Sequence, residues 1–384
     1  MDFSLSEEER MVRDMVRSFC ENRVSSGAGE RDRKGVFPYE IVREMGELGL
    51  LGMFVPQELG GAGMDVPMYL MAVEEIARAD ASVAVTMSVT NSVCCWPILQ
   101  FGSPEQKETY LHSLASGEVL GGFMLTEPEA GSDAGSLKTR YRDAGDHWVL
   151  DGSKAWITNA GVARYFVCLA TRDPGLRTKG ISAFILDADQ DGVIIHRPES
   201  KMGLRSSKTA MVSLQGARVP KDALLGEEGQ GFHIALATLD HSRLGIAAQA
   251  VGIAQAAFEE ALRYARDRRQ FGRPILEHQA VGFRLAEIDT ELAAARALLR
   301  EAAWESTQPG RHSRQSARAK LYASEMCNRV VAWAVQIHGG YGFSQEYKIE
   351  RLYRDARVTT IYEGTSEVQK LVISRALREE ARLL

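Results

Sequence analysis

The sequence predicts an α+β fold, mostly helical, with a β-rich middle segment between two helical ones. Three observations predict it. Apolar residues recur at helical spacing up to about residue 117 and again after about residue 230. Short β-rich runs separated by turn residues fill Gly121 to Pro220. Helices, then strands, then helices is not the alternation of a doubly wound nucleotide fold, and no G-x-G-x-x-G follows a strand to open a helix. The expected domains are 1–117, all-α; 118–228, β; and 229–384, a helix bundle. A chain of 384 residues has room for two or three.

In order, Ser4 and Glu7 form a capping-box pattern ahead of Met11, Val12, Met15, Val16 and Phe19 on one helix face. A loop at Glu58–Gly63 precedes a helix through Tyr69–Ala79, and Gly102-Ser103-Pro104 opens another. Strands are expected at His147–Leu150, Tyr165–Ala170, Ile181–Leu186, Val193–His196 and Ala210–Leu214, a set that suggests a small barrel or sandwich. Beyond residue 230, Val281, Leu285, Ile288, Leu292, Ala295, Leu299 and Ala302 make a bundle seam, read as core. Gln308-Pro-Gly310 breaks it, and Ala319, Tyr322, Met326, Val330, Trp333 and Ile337 resume it.

The composition, 45% hydrophobic and 25% charged with a net charge of −5, is that of a soluble globular protein and argues against nucleic-acid binding. The basic stretch Arg263–Arg269 reads as a solvated helix face or a hold for one anionic ligand. Five cysteines without C-x-x-C spacing indicate neither disulfides nor a metal site, and fit reduced thiols in a cytoplasmic compartment. The N-terminus has no apolar core of a secretory signal, and no run approaches the ~18 apolar residues of a membrane helix.

Four segments carry chemistry. Phe123–Asp133, with its hydroxyls and glycines, is either an anion-binding loop or a plain turn. Lys154–Gly161 sets Trp156 to wall an aromatic ligand or, the preferred reading, to close the β core. Gln336–Gly342 is an extended C-cap or a backbone approach to phosphate. Thr360–Gln369 holds Glu363 beside Gly364, as a helix-capping or a catalytic carboxylate, with Thr365 and Ser366 able to cap the next helix.

Together these segments resemble one family, the acyl-CoA dehydrogenases, nearest to the short-chain (butyryl-CoA) branch. The motifs are Leu125-Thr-Glu-Pro-x-x-Gly-Ser-Asp133, Trp156-Ile-Thr-Asn159, Asp267-Arg-Arg-Gln-Phe-Gly272, Gln336-x-x-Gly-Gly340 and Tyr362-Glu-Gly-Thr365. The resemblance spans essentially the whole chain. It implies a helical domain, a β-barrel domain and a four-helix bundle, assembled as a homotetramer. It further implies FAD as cofactor, an acyl-CoA substrate, and an electron-transfer flavoprotein as acceptor.

Residue by residue, it implies that Phe123, Leu125, Thr126, Gly131 and Ser132 lie along the flavin, with Trp156, Ile157 and Thr158 on its other side. Arg268, Gln279, Gln336, Gly339 and Gly340 would reach the FAD of a neighbouring subunit, Gln270 and Phe271 would also bind the cofactor, and Thr365 and Glu367 would lie near its pyrophosphate. Ser132, Asp240, Arg243 and Gly364 would touch the acyl-CoA. Glu363 would be the base, its backbone N–H and a cofactor hydroxyl binding the thioester oxygen as an oxyanion hole.

A free glutamate, near ~4.3, is too acidic to be a strong base, and an apolar enclosure corrects this. Isovaleryl- and long-chain-specific relatives carry the base on the helix beginning near Leu239, where this chain has Ser242. Glutaryl-CoA dehydrogenases hold a distal carboxylate with an arginine, and Met87–Asn91 offers no cation. A short, uncharged acyl group is therefore expected, with cyclic or aromatic groups open. The alternatives are a catalytically dead relative acting as scaffold, and an acyl-CoA oxidase. Oxidases usually carry an extra C-terminal domain, whereas this chain ends soon after the bundle.

Overall fold

The computed structural model describes residues 5–382. The first helical region holds α1 (Glu7–Phe19), α2 (Ala28–Lys34), α3 (Tyr39–Glu47), α4 (Val66–Ala79), α5 (Ala81–Val89), α6 (Trp96–Phe101) and α7 (Pro104–Ala115). The capping box of α1 is Ser6 with Glu9: Ser6 Oγ accepts the Glu9 N–H at 3.1 Å and the Glu9 carboxylate accepts the Ser6 N–H at 2.7 Å. It stands two residues later than expected, and Ser4 lies outside the described residues. Helix α7 opens where the sequence puts it, capped by Ser103 with Pro104 needing no N–H bond at the first helical position, and Gln106 completes a capping box there. The stretch Ala81–Phe101 is long and apolar enough to span a membrane, contrary to expectation, but its apolar 18-residue part is 89% buried inside the protein.

The β region holds β1 (Gly121–Met124), β2 (Arg140–Asp143), β3 (His147–Thr158), β4 (Tyr165–Thr171), β5 (Ile181–Asp187), β6 (Val193–Pro198), β7 (Thr209–Pro220) and β8 (Leu224–Leu225). The order is β6-β7-β3-β2-β4-β5-β8, with β1 added beside β4. The β1–β4 and β2–β4 pairs are parallel and the others antiparallel. The hydrogen-bonded path is open, with β6 and β8 at its ends, so strand pairing closes no barrel.

The last region holds α8 (Gly231–Asp267), the short pair β9 (Arg269–Gln270) and β10 (Arg273–Pro274), α9 (Gln279–Ser306), α10 (Ser313–His338), α11 (Lys348–Ala356) and α12 (Ser366–Ala381). Helix α8 begins at Gly231, eight residues ahead of the expected Leu239. Helix α10 packs on α8, α9, α11 and α12, and α8 also packs on α4 and α5, so one apolar core runs through all three regions. Leu285, Ile288, Leu292, Ala295, Leu299 and Ala302 are buried as their spacing predicts, as are Ala319, Met326 and Val330. Trp333 is not core: it lies at the surface with the Arg284 guanidinium 3.8 Å over its ring. All five cysteines are buried and unbridged.

Candidate active site

Two departures from regular backbone make the site. The first follows α11 and a tight turn at Arg357–Thr360. Glu363 has φ +54° and Gly364 φ +88°, two consecutive left-handed residues. For a glutamate that conformation costs about 1–2 kcal/mol, so neighbours must impose it. Four hydrogen bonds do. Glu363 O accepts from Arg243 Nε at 3.3 Å and Gln369 Nε2 at 3.1 Å. Gly364 O accepts from the same amide at 2.8 Å and from Lys320 Nζ at 2.8 Å. Thr365, not Glu363, caps α12, its hydroxyl accepting the Val368 N–H at 3.3 Å. The capping reading of Glu363 is thereby replaced, and its carboxylate is free to face elsewhere.

Glu363 is half-buried, and Ser242 Oγ donates to its Oε2 at 2.5 Å. Burial pushes its pKa up, while Ser242, Arg243 and Lys320 pull the other way without cancelling the rise. Asp240, a second carboxylate nearby, is committed: it pairs with Arg243 at 2.5 Å and accepts the Ser313 hydroxyl. Below the elbow, Tyr362 donates to Gln249, whose amide donates in turn to Ala81 O at 2.9 Å.

The second departure lies in β3. Its register against β7 slips between Lys154 and Ile157, so three steps on β3 match two on β7, a bulge. Trp156, with φ +60°, turns outward and is 63% exposed, while Ile157 is buried. The preferred reading of Trp156 as core closure is therefore wrong, because an extra residue in the strand reverses the side its ring faces. Ala155 N–H donates to Thr126 O at 2.9 Å, which joins the bulge to the loop after β1. Glu127 anchors that loop, bonded to Lys154 Nζ at 2.8 Å and to the Lys138 and Thr139 N–H groups at 2.6 and 3.0 Å. Burial opposes the Glu127 charge, but Lys154 and these bonds together hold its carboxyl below the usual range.

The exposed Trp156 indole, Thr158 two residues on along β3 and Thr126, tied to the bulge through the Ala155 bond, set an aromatic ring beside hydroxyl-bearing residues. Gly131 and Ser132 sit exposed in the turn beyond, and a Cβ at Gly131 would meet nothing within 4 Å. This donor set fits a planar heteroaromatic ring with a polar edge, the isoalloxazine of a flavin among them.

The remaining predicted residues gather at one end of α8 and α10. Arg268 follows the last residue of α8 with its guanidinium 5.8 Å from the Tyr341 ring, Gln270 ends β9, Phe271 lies in the β9–β10 turn, and Gln279 opens α9. Phe271 is 94% exposed, and no atom crowds a Cβ at Gly339 or Gly340. Among the described residues, no hydrogen bond or ion pair links this group to either departure within one chain. Gly339 at φ +59° ends α10, so the C-cap reading of this segment holds.

Sequence reasoning missed Lys320, Gln369 and the Glu127–Lys154 pair. A signal existed for Lys320. It shares a three- and four-residue stripe with Ala317, Ala323, Ser324 and Cys327, all buried, where a solvated lysine has no place.

Comparison with known families gives one answer along the chain. The acyl-CoA dehydrogenase N-terminal, middle and C-terminal domain models match residues 6–118, 122–217 and 229–378. The short-chain-specific acyl-CoA dehydrogenase of Clostridium acetobutylicum is 46% identical over 97% of this chain and 99% of its own. The mitochondrial short-chain enzyme of Mus musculus is 46% identical over 98% of this chain and 92% of its own. Among solved structures, butyryl-CoA dehydrogenase from Megasphaera elsdenii superposes with a TM-score of 0.96 at 42% identity, covering 98% of this chain and 100% of that one.

The fold and site are those of a flavin-dependent oxidoreductase. The chain belongs to the acyl-CoA dehydrogenase family, and it is an FAD-dependent enzyme that dehydrogenates an acyl-CoA thioester.

Proposed function

We propose that the substrate is a short, uncharged acyl-CoA and that Glu363 removes its α proton. The observation that carries this is the Glu363 elbow. It presents one carboxylate with a raised pKa at a strained turn, while Asp240 is held by Arg243 and Ser313. A carboxylate made more basic by burial matches a weakly acidic α C–H better than a solvated one. Arg243 and Gln369 fix the elbow so that the carboxylate and its own N–H keep one geometry. Bound FAD would accept the β hydride.

In this reading Phe123, Leu125, Thr126, Gly131, Ser132, Trp156, Ile157 and Thr158 hold the flavin, and Thr365 and Glu367 its pyrophosphate region. Ser132, Asp240, Arg243 and Gly364 contact the acyl-CoA. Arg268, Gln270, Phe271, Gln279, Gln336, Gly339 and Gly340 serve the FAD of a neighbouring copy. The exposed Phe271, Phe343, Phe283 and Trp304 support an oligomer, and a homotetramer is our reading. The division at 117/118 and 228/229 belongs to the same reading, supported by the spans of the family models. So does a cytoplasmic location, supported by five unbridged cysteines.

Short-chain selectivity is supported by the relatives' names and by Met87–Asn91, which is wholly buried and lacks a cation. Asn91 there is spent on the Met53 N–H and the Leu50 carbonyl, both at 2.8 Å. The acceptor is proposed to be an electron-transfer flavoprotein. A chain in a structure of the Acidaminococcus fermentans electron-transferring flavoprotein matches at 43% identity with a TM-score of 0.97, over 98% of this chain and 99% of that one. A prolyl acyl carrier protein oxidase also matches over its full length, at 33% identity with a TM-score of 0.94, so chain length does not separate dehydrogenase from oxidase.

The test is anaerobic bleaching of the flavin by an acyl-CoA panel, with and without Glu363→Gln. Butyryl-CoA should bleach the wild type fastest and the variant hardly at all. Unchanged bleaching by the variant would remove Glu363 as base, and glutaryl-CoA as best substrate would remove the short uncharged group. Hydrogen peroxide made as fast as substrate is consumed would favour the oxidase.

A further inference from the structure

Behind the elbow, Lys320 of α10 is fully buried, with 0% of its surface exposed. Its Nζ donates to the Gly364 carbonyl at 2.8 Å, and among the described residues no carboxylate lies within ion-pair distance of it. Glu325, one turn along α10, accepts the Ser366 hydroxyl at 2.6 Å instead. An unpaired ammonium in a dry site costs several kcal/mol, and a methionine would fill the same space between α10 and α12 without that penalty. Packing therefore does not explain this lysine. Its position against the two left-handed residues of the site does.

We infer that Lys320 is a positioning residue of the dehydrogenation: bonded to the Gly364 carbonyl, its ammonium locks the Glu363 elbow and places a positive charge behind the Glu363 carboxylate. The inference rests on Glu363 as base. Four charged groups face Lys320: Glu363 from the elbow, Arg243 from α8, Glu325 from α10 itself and Glu367 from α12. Burial lowers the Lys320 pKa to about 7, with Arg243 adding to the fall and the three carboxylates resisting it. The ammonium is thus present below neutrality, where its charge favours the ionised form of the Glu363 carboxylate. Lys320 in turn lowers the pKa of Glu363, against the larger effect of burial.

The experiment uses FAD-loaded Lys320→Met and Lys320→Gln, mixed anaerobically with butyryl-CoA from pH 6 to pH 8, following flavin absorbance. Both variants should retain FAD. In Lys320→Met the reduction rate should fall ~10–100-fold, the cost of a slightly misplaced reacting group. The fall should be larger at pH 6 than at pH 8, because the acid limb of the profile moves to higher pH. The substrate concentration for half-maximal rate should change less than the rate itself. Lys320→Gln keeps an N–H donor without charge, so it should recover rate at pH 8 and not at pH 6. It carries the test alone if the methionine variant does not fold. Wild-type rates, or a loss equal at every pH, would overturn the inference. Glu363→Gln in parallel separates the two readings. An active Glu363→Gln sinks the base, whereas an inactive one beside an unmoved Lys320→Met profile sinks only the positioning role.

Discussion

Glu127 and Glu363 are both withdrawn from water near a fully buried lysine, and the protein treats them in opposite ways. In the β region Lys154 points its ammonium at the Glu127 carboxylate, two backbone N–H groups complete the set, and the acid is held below its usual range. In the helical region Lys320 points at a backbone carbonyl, and the Glu363 carboxylate receives one serine hydroxyl. The acid is pushed up. A saturated carboxylate is a fastener. One left short of donors stays basic and is held in place by the backbone around it.

The largest expected break in this contrast is Glu363→Gln, which should cut flavin reduction by more than ~10²–10⁴ and leave thermal unfolding nearly unchanged. Stopped-flow absorbance and a melting curve on one preparation check both halves. Glu127→Gln should do the reverse. It strands the Lys154 ammonium, so we expect a loss of about 3–5 kcal/mol, read by denaturant titration. Equal stability of the two variants would erase the distinction.

Smaller effects sharpen it. Gly364→Ala places a Cβ 2.8 Å from Gln369 Nε2 at φ +88°, and should cost about 1–2 kcal/mol and slow reduction without releasing FAD. Asp355 is an intermediate case, fully buried with the Leu204 N–H at 2.6 Å as its donor. Burial raises its pKa to about 7. The folded chain then keeps a proton that the unfolded chain releases near ~4, so this group's contribution to stability is lost as pH rises from about 4 to about 7. Asp355→Asn should flatten the melting temperature across that window, and an unchanged slope would reassign the effect. The mildest change is Ser242→Ala. Removing a donor to the charged form of Glu363 should move the acid limb of reduction to higher pH with little loss at pH 8.

Much of this was legible in the sequence. The seam Leu285–Ala302 gave its helix because burial on one face imposes a three- and four-residue spacing whatever it packs against. The Ser103-Pro104 start and the runs at Tyr165 and Ile181 were equally local in cause. The five motifs in order gave the family and with it FAD, and they singled out Glu363 as the base we propose, because chemistry fixes residue types at fixed spacing. Tertiary structure alone decided the rest. Trp156 faces outward because one extra residue in β3 reverses its side, and that slip exists only relative to β7. Trp333 lies under Arg284, a neighbour from another helix. Among the described residues β6 and β8 end the sheet without pairing with each other, which strand spacing along the chain does not reveal. Burial pushes the Glu363 pKa up, while α8, α10 and α12 offer its carboxylate one hydroxyl and send their other donors to the backbone of Glu363 and Gly364. Periodicity reports which face of an element is buried. It carries no account of which distant group meets it there, and a pKa depends on that meeting.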